Sequence, residues 1–272
     1  MTKNKEIITT IVCAIIVSTT SILSAFIARE KITNYEVREI PTGYNLGKVT
    51  KYFPLAIGNY WIYTGRQITR NDEQTKEKNV NIKMEVVDCY KNNNNAGVAL
   101  YIMRGHPLDA ADFESASKVG KVIQSKYGFL LIANKIYKIR ESRLNEAIER
   151  VQSGRTFYVD TSDWEPGTES PVILEECEFE FPLFKGLRYG DNVQLARNDY
   201  RYFWYVDDYM NYRYSENGHL REYPQFEIAY LTNPDSLKLT FAPYLGITSY
   251  EYSHHGSRME VNLTLSDYKI CD

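Results

Sequence analysis

The stretch NVNIKMEVV, residues 79–87, decides the fold class, because apolar and polar residues alternate along it. A period of two is the signature of a β-strand with one buried and one solvated face. The residues predicted to share the buried face are Val80, Ile82, Met84 and Val86. KNNNNAG at residues 91–97 favours a turn, and VALYIMR follows at 98–104, so residues 80–104 are predicted to form a β-hairpin.

The same alternation returns near the carboxyl end, in RMEVNLTLS at residues 258–266. With GITSYEYSHH before it, this segment predicts a second hairpin that turns at residues 254–257. Residues 226–231 and 236–241 are further strand candidates. Because short connections recur and no strand–helix–strand rhythm does, we expect a mainly β fold of antiparallel sheets, as a sandwich or an open half-barrel.

Helical patterns are scarce. SRLNEAIERVQSG spaces Leu144, Ile148 and Val151 as one helical face, with Ser142 as a candidate cap and Gly154 just beyond the end. Residues 108–122 could form a second helix, which an internal glycine weakens. The prediction is therefore one or two short helices among many strands.

The amino-terminal region predicts a membrane anchor. Residues 7–28 carry no charge, and as a helix they reach about 33 Å, enough to cross a bilayer core. We therefore expect a cytoplasmic tail (1–6), a signal-anchor helix (7–28), a polar stalk (29–50) and an extracytoplasmic β-rich domain (51–272). The alternative is a secreted protein, released by cleavage of a signal peptide.

The amino-acid composition limits the classes of partner that the protein is expected to bind. The 272 residues carry a net charge of only −3, so there is no basic field and nucleic acid is not an expected partner. The 23 tyrosines suit strand faces and also protein or ligand contact surfaces. The expected partners are the membrane, through the amino-terminal helix, and an envelope protein or a glycan.

A short motif occurs twice, as FPLAIG at residues 53–58 and as FPLFKG at residues 181–186. A proline has no amide proton for a ladder, so this step belongs at a strand entrance or a sheet edge, and the glycine then permits a turn. We predict a structural role for both copies, carried by Pro54, Gly58, Trp61, Pro182 and Gly186. The alternative is that Trp61 lines a ligand groove.

The blocks YFPLAIGNYWIY, the second Pro-Leu-x-x-Gly stretch and APYLGITSYEYSHHGSRMEVNLTLSDY together resemble a family of bacterial and archaeal secreted or lipoprotein-like proteins of uncharacterised function. The resemblance implies an extracytoplasmic β-rich domain and brings no known activity. The chain departs from the lipoprotein form, because Val12 precedes Cys13 where a small residue is expected. Its second block also lacks the tryptophan that follows the glycine in the first.

The densest aromatic stretch is DYRYFWYVDDYMNYRYSENG, residues 199–218. Rings that stack on sugars, next to carboxylates that bind hydroxyls, are typical of a glycan-binding surface, so Trp204, Tyr202 and Tyr205 are candidate ligand-binding residues. The same residues suit a long hairpin with aromatic pairs across its strands, which is the favoured interpretation.

An acidic strand, ILEECEFEF, could place Glu176 and Glu178 at the separation that glycosidases use. The alternation favours instead an acidic solvated face, with Cys177, Phe179 and Phe181 directed inward. No catalytic residue is therefore assigned.

Metal and disulfide sites receive no firm support from the sequence. His254 and His255 could hold a metal with Glu251 or Glu260, but adjacent strand residues point to opposite faces, so no metal or cofactor is predicted. The cysteines outside the anchor either form one disulfide and leave one thiol or are all reduced; they are Cys89, Cys177 and Cys271.

Taken together, these patterns favour a membrane-anchored extracytoplasmic β domain with a non-catalytic binding or structural role. Two rivals are a secreted hydrolase that acts on glycans and a carrier of lipids or other apolar ligands with a concave half-barrel.

Overall fold

The computed structural model describes residues 49–70, 74–92, 97–111, 124–155, 157, 176–190, 192–195, 198–216, 219–256 and 259–271. The predicted tail, the signal-anchor helix and the stalk up to residue 48 lie outside the described residues. Within those residues, no helix combines the length and the apolar character that crossing a membrane requires.

The described chain is dominated by twelve β-strands. They are β1 (Tyr60–Arg70), β2 (Thr75–Lys91), β3 (Val98–Arg104), β4 (Lys126–Ile132), β5 (Lys135–Ile139), β6 (Glu176–Glu180), β7 (Arg188–Tyr189), β8 (Trp204–Glu216), β9 (His219–Leu231), β10 (Asp235–Ala242), β11 (Gly246–His254) and β12 (Met259–Lys269).

All twelve strands belong to one antiparallel sheet, in the order β6-β5-β4-β3-β2-β1-β12-β11-β10-β9-β8-β7. The sheet therefore consists of two six-stranded meanders, β1–β6 and β7–β12, joined where β1 pairs with β12. It curls until its two edge strands approach, and the Tyr189 hydroxyl on β7 donates to the Glu178 carbonyl on β6 at 3.1 Å. The prediction of a mainly β, antiparallel fold is confirmed, as a single nearly closed, barrel-like sheet and not a sandwich of two sheets.

The predicted hairpin over residues 80–104 is confirmed as β2 and β3. The side chains predicted to face inward from β2 are all buried. β12 shows the same alternation, with Met259, Val261 and Leu263 buried and the residues between them more exposed. The predicted strands at 226–231 and 236–241 lie within β9 and β10.

Three α-helical segments lie within the described residues: α1 (Val49–Tyr52), α2 (Leu144–Ser153) and α3 (Asn192–Leu195). α2 is the predicted helix, and it ends at Gly154, whose φ of 72° is left-handed. The expected cap at Ser142 is wrong, because a 3₁₀ turn over Glu141–Arg143 precedes the helix and puts Arg143 at the cap position. Of the second predicted helix, residues 108–111 belong to a 3₁₀ turn over Pro107–Ala111, and residues 112–122 lie outside the described residues.

Aromatic rings fill the interior at the end where the chain enters the sheet. The ring of Phe53, which follows α1, lies 5.4 Å from Phe179, 5.5 Å from Phe241 and 5.8 Å from both Phe129 and Trp61. These rings come from β6, β10, β4 and β1, so one side chain joins strands from both halves of the sheet.

Candidate functional site

The two copies of the Phe-Pro-Leu motif occupy equivalent places in the two halves. Gly58 and Gly186 have the same φ of 89°. Each glycine amide donates to a valine carbonyl at 2.9 Å, Gly58 to Val86 and Gly186 to Val206. In each half the motif is therefore a turn that docks on the second strand of a meander.

The equivalence continues into the strands. Trp61 pairs with Met84 in the first half, and Tyr189 pairs with Trp204 in the second. The β2–β3 register and the β8–β9 register each shift by one residue directly after the docked valine. The docked turn and the bulge are thus one repeated unit.

Asn59, which follows the first turn, fixes it to the end of the chain. The Asn59 side chain is buried and donates to the Pro54 carbonyl at 2.6 Å. Its Oδ1 accepts from the Cys271 amide at 2.7 Å. The residue at the same position of the second turn is Leu187, so this link exists only in the first half.

The predicted ligand-binding residues do not form one surface. Trp61 is fully buried, and its Nε1 donates to the Leu245 carbonyl at 2.5 Å. Trp204 is only 6% exposed and stacks on Tyr189, with ring centroids 6.3 Å apart and planes 10° apart. Both indoles therefore belong to the packing of the sheet.

Tyr202 and Tyr205 are half-buried, and Tyr205 lies beside a more exposed ring. That ring is Tyr200, which is 48% exposed and lies 5.9 Å from the ring of Tyr205. The Arg188 guanidinium lies 4.2 Å from the centre of the Tyr200 ring. The described part of the aromatic stretch thus presents tyrosines to solvent and buries its tryptophan.

The favoured interpretation of the acidic strand is wrong at Glu178. It expected a solvated carboxylate, but Glu178 is 3% exposed. The reason is a bulge: Ile136 on β5 pairs with Phe179, and Tyr137 pairs with Cys177, so Glu178 is an extra residue on β6. A bulge breaks the two-residue alternation, and Glu178 turns inward together with its neighbours. The Glu176 side chain lies outside the described residues.

Glu178 faces His106, a residue that the sequence left without a partner. His106 Nε2 lies 3.6 Å from Glu178 Oε1, and both side chains are almost fully buried. His106 Nδ1 accepts from the Leu108 amide at 3.0 Å, so the neutral ring carries its proton on Nε2 and directs it at the carboxylate.

Burial and a nearby lysine set the charge states of this pair. Burial lowers the pKa of His106, and the positive charge of Lys138 lowers it further, against the opposing effect of Glu178. Burial alone would raise the pKa of Glu178, but Lys138 and His106 outweigh it, and the pKa of that carboxyl lies below its ordinary value. The pair is a neutral imidazole beside a carboxylate, enclosed by Tyr127 and Tyr250, whose rings lie 5.2 and 5.9 Å from the imidazole.

His254 is bound to a carboxylate that the sequence did not suggest. Its Nδ1 lies 2.7 Å from Asp235 Oδ1, which also accepts from the Tyr252 hydroxyl at 2.8 Å. These contacts tie the end of β11 to the start of β10. Within the described residues, no group of three histidine, cysteine or acidic side chains is arranged to hold a metal ion.

The cysteines in the described residues are all free thiols. Burial raises the pKa of Cys177 to about 12. Burial also raises the pKa of Cys89, against a hydrogen bond with Tyr101 that lowers it.

An open cleft of about 710 Å³ lies where the chain enters the domain. It is lined by the first turn, by the end of β2, by Tyr101 of β3 and by the end of α2; the residues are Thr50, Leu55, Ala56, Ile57, Cys89, Tyr90, Lys91, Tyr101 and Gln152. Its volume is in the range of small-ligand sites, about 300–1,000 Å³. Ile57, at the tip of the turn, is 57% exposed.

The cleft was not predicted from the sequence. The residues of β2 beyond Val86 do not alternate, so the sequence gives no signal of the open strand end that borders the cleft. β2 has 17 residues and β1 has 11, so the end of β2 extends beyond its neighbour.

No protein-family model and no curated protein matches the sequence. Among solved structures, the chain is similar to a candidate exported protein with a YmcC-like fold from Bacteroides fragilis, at 11% identity and a TM-score of 0.30, covering 79% of this chain and 96% of the other. A candidate lipoprotein from Parabacteroides distasonis matches at 9% identity and a TM-score of 0.31, covering 80% and 98%. A candidate outer-membrane lipoprotein-sorting protein domain from Vibrio parahaemolyticus matches at 12% identity and a TM-score of 0.24, covering 82% and 91%.

Proposed function

We propose that the chain is a membrane-anchored extracytoplasmic β domain with a non-catalytic role, and that it binds an envelope partner at the cleft beside Ile57. The observation that carries the proposal is the position of this cleft. It lies next to Thr50, where the chain enters the domain, and its rim exposes an isoleucine. A cleft of about 710 Å³ has the size of a ligand-binding site, which makes it the candidate contact surface of the domain.

The interior of the sheet favours this exterior surface over an internal ligand cavity. The rings around Phe53 pack with their centroids less than 6 Å apart, which is the spacing of a filled aromatic core. The crosslinking experiment described below would also detect a lipid bound in the cleft.

The glycan hydrolase is a weaker candidate. That reading needs Glu176 and Glu178 as paired carboxylates in an accessible groove. Glu178 is enclosed by the sheet and directed at His106, so a substrate would not reach it.

The first experiment tests the anchor. Amino-terminal sequencing of the protein from the membrane fraction should return the original terminus, because residues 7–28 are long enough to remain as a membrane span. A new terminus near residues 26–29 would show cleavage and would contradict the anchored form.

The second experiment tests the binding surface. A photo-crosslinking amino acid at Ile57 of the full-length chain, in intact envelopes, should capture a discrete adduct. The control places the same group at His255, which is exposed in the turn between β11 and β12 at the opposite end of the sheet. Equal labelling at both positions, or none at either, would contradict binding at the cleft. Digestion of the adduct with protease, lipase or glycosidase then identifies its class.

A further inference from the structure

The end of β2 beside the cleft is an open strand edge. β1 pairs with β2 only as far as Tyr60 opposite Glu85, and the first turn extends this contact to Val86. Beyond that point, β3 alone among the described strands pairs with residues 88–91 of β2. Among the described residues, the side of β2 that pairs with β1 between Thr75 and Glu85 is therefore unpaired over residues 88–91, a length of about 14 Å.

The cleft follows this edge. Three consecutive residues of β2 line it, Cys89, Tyr90 and Lys91. Consecutive strand residues point to opposite faces of a sheet, so a cleft that contacts all three borders the edge of the strand. It also extends over one face of β2 and β3, because Tyr101, which pairs with Cys89, lines it too. The first turn forms one wall, and Gln152 of α2 forms part of the other.

The backbone at this edge is oriented for pairing. The Asn92 amide donates to the Val98 carbonyl at 3.1 Å, so Asn92 directs its backbone groups towards β3. Because these directions alternate along an antiparallel strand, Lys91 and Cys89 direct theirs to the open side. The Cys89 amide already donates to the Asp88 carboxylate at 2.8 Å. The groups presented to a new strand are thus the Lys91 amide and the carbonyls of Lys91 and Cys89.

The lining also indicates the side chains that such a strand would carry. The wall formed by the first turn is apolar, from Leu55 to Ile57, and Lys91 is the one charged residue among those that line the cleft. An extended segment between these walls would place apolar and acidic side chains alternately, because successive residues face opposite sides.

We infer that the cleft binds an extended polypeptide segment with alternating apolar and acidic residues, which adds as a strand to the open edge of β2. Strand addition of this kind takes its affinity from main-chain hydrogen bonds and its specificity from pockets for alternate side chains. The added strand runs antiparallel to β2 and continues the line of β1. The inference rests on the proposed function and names the class of partner that the surface takes.

The test begins with peptide selection. A phage-displayed library of random dodecapeptides is selected against the full-length chain in lipid nanodiscs, and the enriched sequences are synthesised. We expect enrichment of β-branched residues that alternate with Asp or Glu. Failure to enrich any peptide, or enrichment without this pattern, would overturn the inference.

Lys91 offers a matched pair of variants. Lys91→Pro removes the amide that faces the open side and places a ring there, while the β2–β3 hydrogen bonds keep their donors. We expect it to weaken peptide binding by about tenfold or more, the effect of one lost hydrogen bond and a steric block. Lys91→Ala keeps the amide and should weaken only the acidic peptides. Equal affinities for Lys91→Pro and the parent chain would overturn strand addition.

A second measurement does not depend on the folding of any variant. Peptides methylated on alternate backbone nitrogens are titrated against the parent chain. Methylation on the side that faces β2 should abolish binding, and methylation of the intervening residues should leave it unchanged. Equal loss in both series, or in neither, would overturn backbone pairing.

The peptide-binding assay also tests other occupants of the β2 edge. If a synthetic peptide of residues 29–48 competes with the selected peptides for binding, the edge belongs to this chain's own stalk. If the chain associates with itself and Lys91→Pro abolishes that association, the edge belongs to a second copy. Either result would overturn the assignment to a separate partner. Crosslinking at Ile57 tests the proposed function independently of peptide binding. An adduct at Ile57 without any peptide bound to the β2 edge would contradict strand addition but would agree with the proposed function.

Discussion

The indole of Trp61 donates a hydrogen bond to the carbonyl of Leu245, which lies 184 residues further along the chain, at 2.5 Å. This bond connects the start of β1 with the turn between β10 and β11, on the far side of β12. It joins the first half of the sheet to the second at the end where the chain enters.

We expect Trp61→Ala to destabilise the domain strongly. The side chain is fully buried against Phe53, and truncation of a buried aromatic residue to alanine costs about 3–5 kcal/mol, a large part of the roughly 5–15 kcal/mol that a domain has. Thermal unfolding followed by circular dichroism measures the effect. The matched control is Tyr268→Ala, since Tyr268 pairs with Trp61 across the strands and is 44% exposed. If Trp61→Ala melts within about a degree of the parent chain while losing a ligand, the packing role is contradicted and a ligand groove is favoured.

The two equivalent glycines provide a second prediction. A Cβ atom at Gly58 or at Gly186 would meet no atom within 4 Å, so a substitution there is resisted by the backbone and not by crowding. At a φ of 89° a β-branched residue is strained, by about 1–3 kcal/mol. We therefore expect Gly58→Val and Gly186→Val to lower the melting temperature by similar amounts.

The control for this pair is Gly58→Asn, because asparagine tolerates positive φ better than valine does. It should recover part of the loss. Equal melting of Gly58→Val and Gly58→Asn would show that side-chain size, and not φ, limits this position.

Sequence patterns correctly predicted the strands and the helix whose formation depends on nearby residues. The alternation in residues 79–87 identified β2 because one side of that strand faces the core and the other faces solvent. The spacing of Leu144 and Val151 with Gly154 identified α2 for the same kind of reason, since one helical face is buried. These signals require no knowledge of a distant partner.

The remaining features depend on partners far away in the sequence. Glu178 turns inward because β5 and β6 pair with a bulge, and no residue within ILEECEFEF signals that register. The joining of the two meanders into one sheet depends on the pairing of β1 with β12, about 200 residues apart. The open edge of β2 becomes visible only when the start of β1 opposite Glu85 is known. The candidate site is thus a consequence of register, which alternation alone does not fix.

The cysteines give a prediction about reactivity. The thiolate is the reactive form, and burial raises the pKa of Cys177 to about 12, so native Cys177 should resist iodoacetamide at pH 8. Cys271 is more exposed and should react faster. Mass spectrometry of the digested protein, after timed labelling, measures each site. Labelling in urea is the control, in which both sites should react alike. Equal rates in the folded protein would contradict the burial of Cys177.

The His106–Glu178 pair predicts how stability depends on pH. Burial lowers the pKa of His106 below its ordinary value of 6.5, so below pH 6.5 the unfolded chain takes up a proton that the folded chain does not. Stability therefore falls as the pH falls through this range. The pKa of Glu178 lies below its ordinary value of 4.5, so its contribution is present at pH 5 and above and is lost only at lower pH.

We accordingly expect the free energy of unfolding of the parent chain to fall between pH 7.5 and 5.0, by up to about 1.4 kcal/mol per pH unit below 6.5. Urea unfolding at several pH values measures this slope. The matched variant is His106→Asn, whose side-chain oxygen can still accept from the Leu108 amide. Asp109 and Lys138, the other charged groups beside the pair, are present in both proteins, so the difference between the two slopes reflects His106 and its effect on Glu178. A variant slope as steep as that of the parent would show that folding does not shift the pKa of His106. A parent slope shallower than that of the variant would show that His106 is protonated in the fold, and that the buried pair is a salt bridge and not a neutral imidazole beside a carboxylate.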